Sequence, residues 1–121
     1  MEIWVNPACS KCRAATSALY EAGIEYTVRR YLDEPPTPLE LTEVLNRLGL
    51  EPWHVARMNE GVAKEIGLKD LPRDAANRDR WIAAMVEHPI LIQRPIITAE
   101  DGTTVVARDP ETVEKAIEAS R

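Results

Sequence analysis

Apolar residues recur along this chain with two periods, and the switches between them mark its elements. Residues 2–5, Glu2-Ile3-Trp4-Val5, carry the apolar run Ile3-Trp4-Val5 stopped by Asn6-Pro7, which predicts a short buried strand. Over 10–22 the period lengthens. Ala15, Ala18, Leu19 and Ala22 fall at helical spacing, and Gly23 stands where a left-handed residue closes a helix without a Cβ penalty. Residues 26–32 bring β-branched and aromatic side chains and predict a second strand. Strand, helix and strand within about thirty residues make a βαβ unit, so the first two strands are expected to run parallel.

Thr37-Pro38-Leu39-Glu40 then carries a capping hydroxyl, a proline at the first helical position and a glutamate at the third. Leu41, Val44, Leu45 and Leu48 make the apolar stripe of that helix, and Gly49 closes it. Residues 53–87 read as helical pieces broken by Gly61, Gly67 and Pro72, the last capped by Asn77 and burying Trp81 and Met85. After Pro89 the period shortens again. Pro95-Ile96-Ile97-Thr98, a turn at Asp101-Gly102 and residues 103–107 predict an antiparallel hairpin. Asp109-Pro110 opens a final helix with Val113, Ala116 and Ile117 on its inner face. This order predicts an α/β protein: a thioredoxin-like fold whose mixed four-stranded sheet carries a helical insertion.

At 121 residues the chain is expected to form one domain, 1–121, since two cores would each be marginal. Its apolar runs, such as Ile90-Leu91-Ile92, fall far short of the roughly 20 residues that cross a membrane. The first residues lack the basic start and apolar segment of a signal peptide, so a cytoplasmic location is expected. A net charge of −5 argues against a broad nucleic-acid-binding face. Eleven arginines stand against four lysines, and a guanidinium grips an oxyanion bidentately where an ammonium cannot.

The chemistry gathers at Cys9-Ser10-Lys11-Cys12, a C-x-x-C at the elbow between the first strand and the first helix. A cysteine at a helix N-terminus faces unpaired N–H groups and the positive end of the dipole, and both favour thiolate. Cys9 is therefore the expected nucleophile, and Cys12, one turn further in, the less accessible partner. Lys11 and Arg13 are expected to lower the thiol further by their charge. His54 and His88 are too widely spaced to complete a zinc site with the two cysteines, so no metal is expected. The N–H groups of Ser10, Lys11, Cys12 and Arg13 suit a tetrahedral oxyanion, with Asn6 and Pro7 shaping the loop. Thiolate and oxyanion repel, so cations are needed. Arg94, fixed in extended geometry before Pro95, is one candidate; Arg108 and Arg57 are the others.

Three segments together, Asn6-Pro7-Ala8-Cys9-Ser10-Lys11-Cys12-Arg13, Tyr31-Leu32-Asp33-Glu34-Pro35-Pro36-Thr37 and His88-Pro89-Ile90-Leu91-Ile92-Gln93-Arg94-Pro95-Ile96, resemble the thioredoxin-fold arsenate reductase family over the whole chain. The resemblance implies arsenate, or a similar oxyanion, as substrate. It implies Cys9 as the catalytic cysteine and Arg57, Arg94 and Arg108 around the oxyanion. It implies no bound cofactor, but a small thiol such as glutathione as co-substrate and a glutaredoxin-like protein as partner. Two departures stand out: members commonly carry a histidine where this chain has Val5, and many lack a cysteine at the position of Cys12. The C-x-x-C form resembles a sister group, redox-sensing regulators that bind RNA polymerase and toggle through this disulfide. Such regulators usually lack an arginine at the position of Arg108, so its presence favours the reductase. A general disulfide oxidoreductase is the third reading.

Overall fold

The apolar run at the start becomes β1 (Glu2–Val5), the strand on which the sheet is built. On one side it pairs in parallel with β2 (Thr27–Arg30), and on the other it runs antiparallel to β3 (Ile96–Thr98). β3 pairs in turn with β4 (Thr104–Val106), giving the order β2-β1-β3-β4. This computed structural model describes residues 1–121, and its mixed four-stranded sheet with helices is the arrangement the element order predicts.

The chain forms two compact units, one of Met1–Glu34 with Arg94–Arg121 and the other of Pro35–Gln93. The first unit holds the whole sheet, together with α1 (Ser10–Glu21) and α5 (Pro110–Ala119). Ile3, Val5, Ile97 and Val105 from the sheet share one core with Cys12, Ala15 and Leu19 of α1 and Val113, Ala116 and Ile117 of α5. Leu19 is wholly buried there, so Leu19→Ala should lower unfolding stability by about 3 kcal/mol, read as a reduced urea midpoint at unchanged slope.

Local chemistry sets most helix ends as expected. The Gly23 N–H bonds the Tyr20 carbonyl and the Ile24 N–H the Leu19 carbonyl, while Gly23 takes a φ of 72°, the left-handed closure that ends α1. Asp109 accepts from the Thr112 N–H at 2.8 Å and starts α5. In the hairpin, Asp101 accepts from the Thr103 N–H at 2.8 Å and Gly102 has a φ of 90°.

β2 departs from expectation. It ends at Arg30, whose carbonyl accepts from both the Asp33 and Glu34 N–H groups, so Tyr31 and Leu32 lie in a turn rather than in the strand. Three of its four residues are exposed, because it is an edge strand and has little of the buried face that enforces alternation.

The second unit is helical. Its α2 (Pro38–Leu48) carries the complete capping box, with the Thr37 hydroxyl accepting from the Glu40 N–H and the Glu40 carboxylate from the Thr37 N–H. Then come α3 (Gly61–Glu65), α4 (Arg78–Glu87) and single 3₁₀ turns. Leu41, Leu45, Leu68, Trp81, Met85, Leu91 and Ile92 are buried in this unit. Gly61 begins α3 instead of breaking a helix, whereas Gly67, at a φ of 67°, does end one. The Asn77 side chain does not cap α4. It donates to Asp74, which is itself the cap of the preceding turn and has already engaged the Asn77 N–H. Trp53 packs edge-on to Trp81, and His54 accepts from the Glu51 N–H, so these are packing and turn-closing residues. No helix is long and apolar enough to cross a membrane.

Candidate active site

The loop between β1 and α1 is shaped by one buried residue. Asn6, 6% exposed, accepts from the Ala8 N–H through its side chain and from the Cys9 N–H through its carbonyl, at 3.0 and 2.9 Å. Its own N–H points at the Cys12 sulfur at 3.5 Å. These bonds fold the chain tightly and deliver Cys9 to the N-cap position of α1, with extended backbone angles of −91° and 122°. Cys12 follows one turn later, buried, while Cys9 is partly exposed. Both are free thiols.

The two sulfurs titrate in opposite directions. Burial pushes the Cys9 thiol up. The Cys12 N–H, the Cys12 thiol, the Arg94 guanidinium and the Lys11 N–H outweigh it and lower Cys9 from 9.0 to about 7. Cys9 makes no cap hydrogen bond of full geometry as a thiol, but its large polarisable anion still draws on these amide groups. For Cys12 burial dominates and the neighbouring Cys9 adds to it, pushing the thiol up to about 11 against the opposing Asn6 N–H. Cys9 is thus the more readily deprotonated sulfur, and Cys12 stays protonated beside it near neutral pH.

Arg94 arrives from the start of β3, where its peptide bond to Pro95 is cis. Burial opposes its charge, but hydrogen bonds from the guanidinium to Cys9 and to the Tyr31 hydroxyl keep it above the ordinary arginine value. Arg108 follows β4 and donates from Nη1 to the Arg94 carbonyl at 2.6 Å. Arg108 and Lys11 line a cleft of about 340 Å³ beside α1 and α5. The structure therefore brings Asn6, Cys9, Cys12, Arg94 and Arg108 into one connected set.

Other residues of the expected site behave differently. Neither the Lys11 ammonium nor the Arg13 guanidinium is among the main influences on Cys9; Lys11 acts through its amide. Arg13 donates instead to the Pro7 carbonyl at 3.2 Å and, with Arg30, lines a second cleft of about 310 Å³. The reason is direction: side chains of a first helical turn splay outward while the amides point along the axis to the cap. Ser10 is exposed at the first helical position. Arg57 lies in the helical unit, bonded to Glu60 at 3.1 Å and to the side-chain oxygen of Gln93 at 2.8 Å. Tyr31 was not among the candidates. It is 0% exposed, and its only sequence signal was its place in one of the three family-like segments.

Known proteins similar to this chain give its family and fold. A model described as the ArsC family matches residues 4–116. Over 97% of this chain the sequence is 59% identical to a protein of Streptomyces viridochromogenes named "Uncharacterized protein in glnII region", covering 98% of it. It is 39% identical to an arsenate reductase of Neisseria meningitidis serogroup A, over 97% of both chains. The solved arsenate reductase from Vibrio cholerae superposes with a TM-score of 0.85 at 37% identity, covering 96% of this chain and 98% of that one. The thioredoxin-like fold is shared with that structure, and the chain belongs to the ArsC family.

Proposed function

We propose that this ArsC-family protein is a thiol-dependent arsenate reductase working through a Cys9 adduct. One observation carries the reading: the Cys9 sulfur, lowered to about 7, sits at the N-terminus of α1 and against the Arg94 guanidinium. A thiolate flanked by backbone N–H groups and a fixed guanidinium suits an anionic electrophile, because the same groups neutralise both reactants.

In the first step Cys9 attacks arsenic, a sulfur–arsenic bond forms and one arsenate oxygen takes up protons and leaves as water. Arg94 and Arg108 supply the cations that hold the remaining oxygens. A second thiolate then attacks the Cys9 sulfur. A disulfide forms, the sulfur–arsenic electron pair stays on arsenic, and arsenic falls from the pentavalent to the trivalent state. The elevated Cys12 value supports glutathione or a similar small thiol as that second nucleophile, since Cys12 stays protonated near neutral pH. A glutaredoxin-like protein then restores Cys9, and a cytoplasmic location, where such thiols are kept reduced, goes with this chemistry.

The test is arsenate-dependent oxidation of glutathione, with and without glutaredoxin, from roughly two pH units below to roughly two above the Cys9 value of about 7. Turnover should rise with pH as Cys9 deprotonates near pH 7, because the reactive form is the one present above that value. No turnover with any thiol donor overturns the reading.

The contact between the two sulfurs favours a second reading, a redox-sensing regulator in which Cys9 and Cys12 close a disulfide and so change binding to RNA polymerase. Oxidation-dependent capture of RNA polymerase, without arsenate turnover, would select it.

A further inference from the structure

Arg94 has a long, flexible side chain, and aiming it at one sulfur costs conformational entropy unless other groups hold it. Arg108 fixes the backbone, through the 2.6 Å bond to the Arg94 carbonyl. The guanidinium itself meets the Tyr31 hydroxyl. A guanidinium can only donate, so the phenol oxygen is the acceptor.

Sheet register explains how two residues so distant in sequence meet. β1 pairs Val5 with Arg30 on one side and Trp4 with Ile96 on the other. The carboxyl end of β2 and the amino end of β3 therefore both lie beside the carboxyl end of β1. Tyr31, the first residue past β2, and Arg94, two residues before β3, leave the sheet at that same end, where Asn6 begins the loop to α1. Tyr31 is wholly buried, and a buried phenol hydroxyl requires a partner.

We propose that Tyr31 is a positioning residue, whose hydroxyl accepts from the Arg94 guanidinium and holds it against the Cys9 sulfur. The oxyanion then meets a cation already aimed, with no rotamer search at the moment of attack. For arsenate this rests on the reductase reading; for the state of Cys9 it stands without it. The groups facing the thiol are Arg94, Cys12 and the Lys11 and Cys12 amides, so a change at Tyr31 reaches Cys9 through Arg94.

The experiment compares the pH dependence of iodoacetamide labelling in the full chain and in Tyr31→Phe, Arg94→Ala and the double variant. Trypsin cleavage after Lys11 separates the two cysteines, so Cys9 is read alone. Tyr31→Phe keeps the ring and should keep the fold. Its labelling midpoint should rise above the unsubstituted value, and kcat/KM for arsenate should fall roughly tenfold, as for loss of a hydrogen bond to a charged group. In the Arg94→Ala background the same substitution should add nothing, because its effect passes through the missing guanidinium. A Tyr31→Phe profile identical to the unsubstituted one, or a full further shift in the double variant, overturns the proposal. A merely structural tyrosine would lower the unfolding midpoint and leave labelling unmoved. Absence of arsenate turnover in the unsubstituted chain would remove the reductase reading and leave the labelling comparison intact.

Discussion

Cys9→Ser is expected to abolish arsenate-dependent thiol oxidation, lowering it by about 10⁴ or more, as removal of a nucleophile does elsewhere. The hydroxyl that replaces the thiol has no accessible anion near neutral pH, so the first bond to arsenic does not form. Nor does a serine ester of arsenic offer a sulfur for the second thiol to attack. The fold should survive the change. Cys9 occupies the N-cap of α1 without a cap hydrogen bond, and serine is among the preferred residues there. Thermal stability should therefore hold or rise while activity vanishes, which separates chemistry from folding in one variant. Cys12→Ser is the contrast. Its hydroxyl can still donate toward Cys9, and turnover should persist with glutathione supplied. The measurement for both is glutathione disulfide formed per arsenate added, alongside an unfolding curve. Full activity in Cys9→Ser would end the reductase reading.

The parts of this molecule legible in its sequence are those set by neighbours along the chain. Thr37 with Glu40, and Asp109 with Thr112, cap their helices because a short side chain meets an N–H three residues on. Gly23 and Gly49 close helices for a similarly local reason, a backbone angle few other residues adopt. Cys9 was legible because a cysteine between a strand and a helix can hardly avoid the helix N-terminus. Where competition decides, the sequence was silent. Asn77 reads as a cap until its side chain turns to Asp74, and 26–32 reads as a strand until two amides claim the Arg30 carbonyl. The pairing of Arg94 with Cys9 and Tyr31 depends on how β2 and β3 register on β1, which no local pattern encodes. Lys11 and Arg13 show the converse: nearness in sequence suggested charge on the thiol, yet side-chain direction made the Lys11 amide the group that matters.

Arg94→Ala should be the most damaging change short of losing the nucleophile, because Arg94 acts on both reactants. Toward Cys9, its guanidinium is one of the groups that bring the thiol from 9.0 to about 7. At pH 7 that shift raises the thiolate fraction from roughly 1% to roughly half, although the less basic sulfur is intrinsically a roughly six- to tenfold weaker nucleophile. The net kinetic gain is therefore less than about tenfold, and Arg94 supplies only part of it. Toward arsenate, loss of a preorganised donor to the reacting oxyanion costs about 10²–10³ in rate. The second effect wins, so kcat/KM should fall by about 10²–10³ while the pH at which Cys9 labels moves up only modestly. Arg94→Lys separates the two. An ammonium restores positive charge and much of the thiol shift, but it lacks the planar fork that grips two oxygens. That variant should label nearly like the unsubstituted chain and still reduce arsenate poorly. Equal recovery of both properties would show that charge alone suffices, and that the fixed guanidinium geometry held by Arg108 and Tyr31 contributes nothing to the reaction.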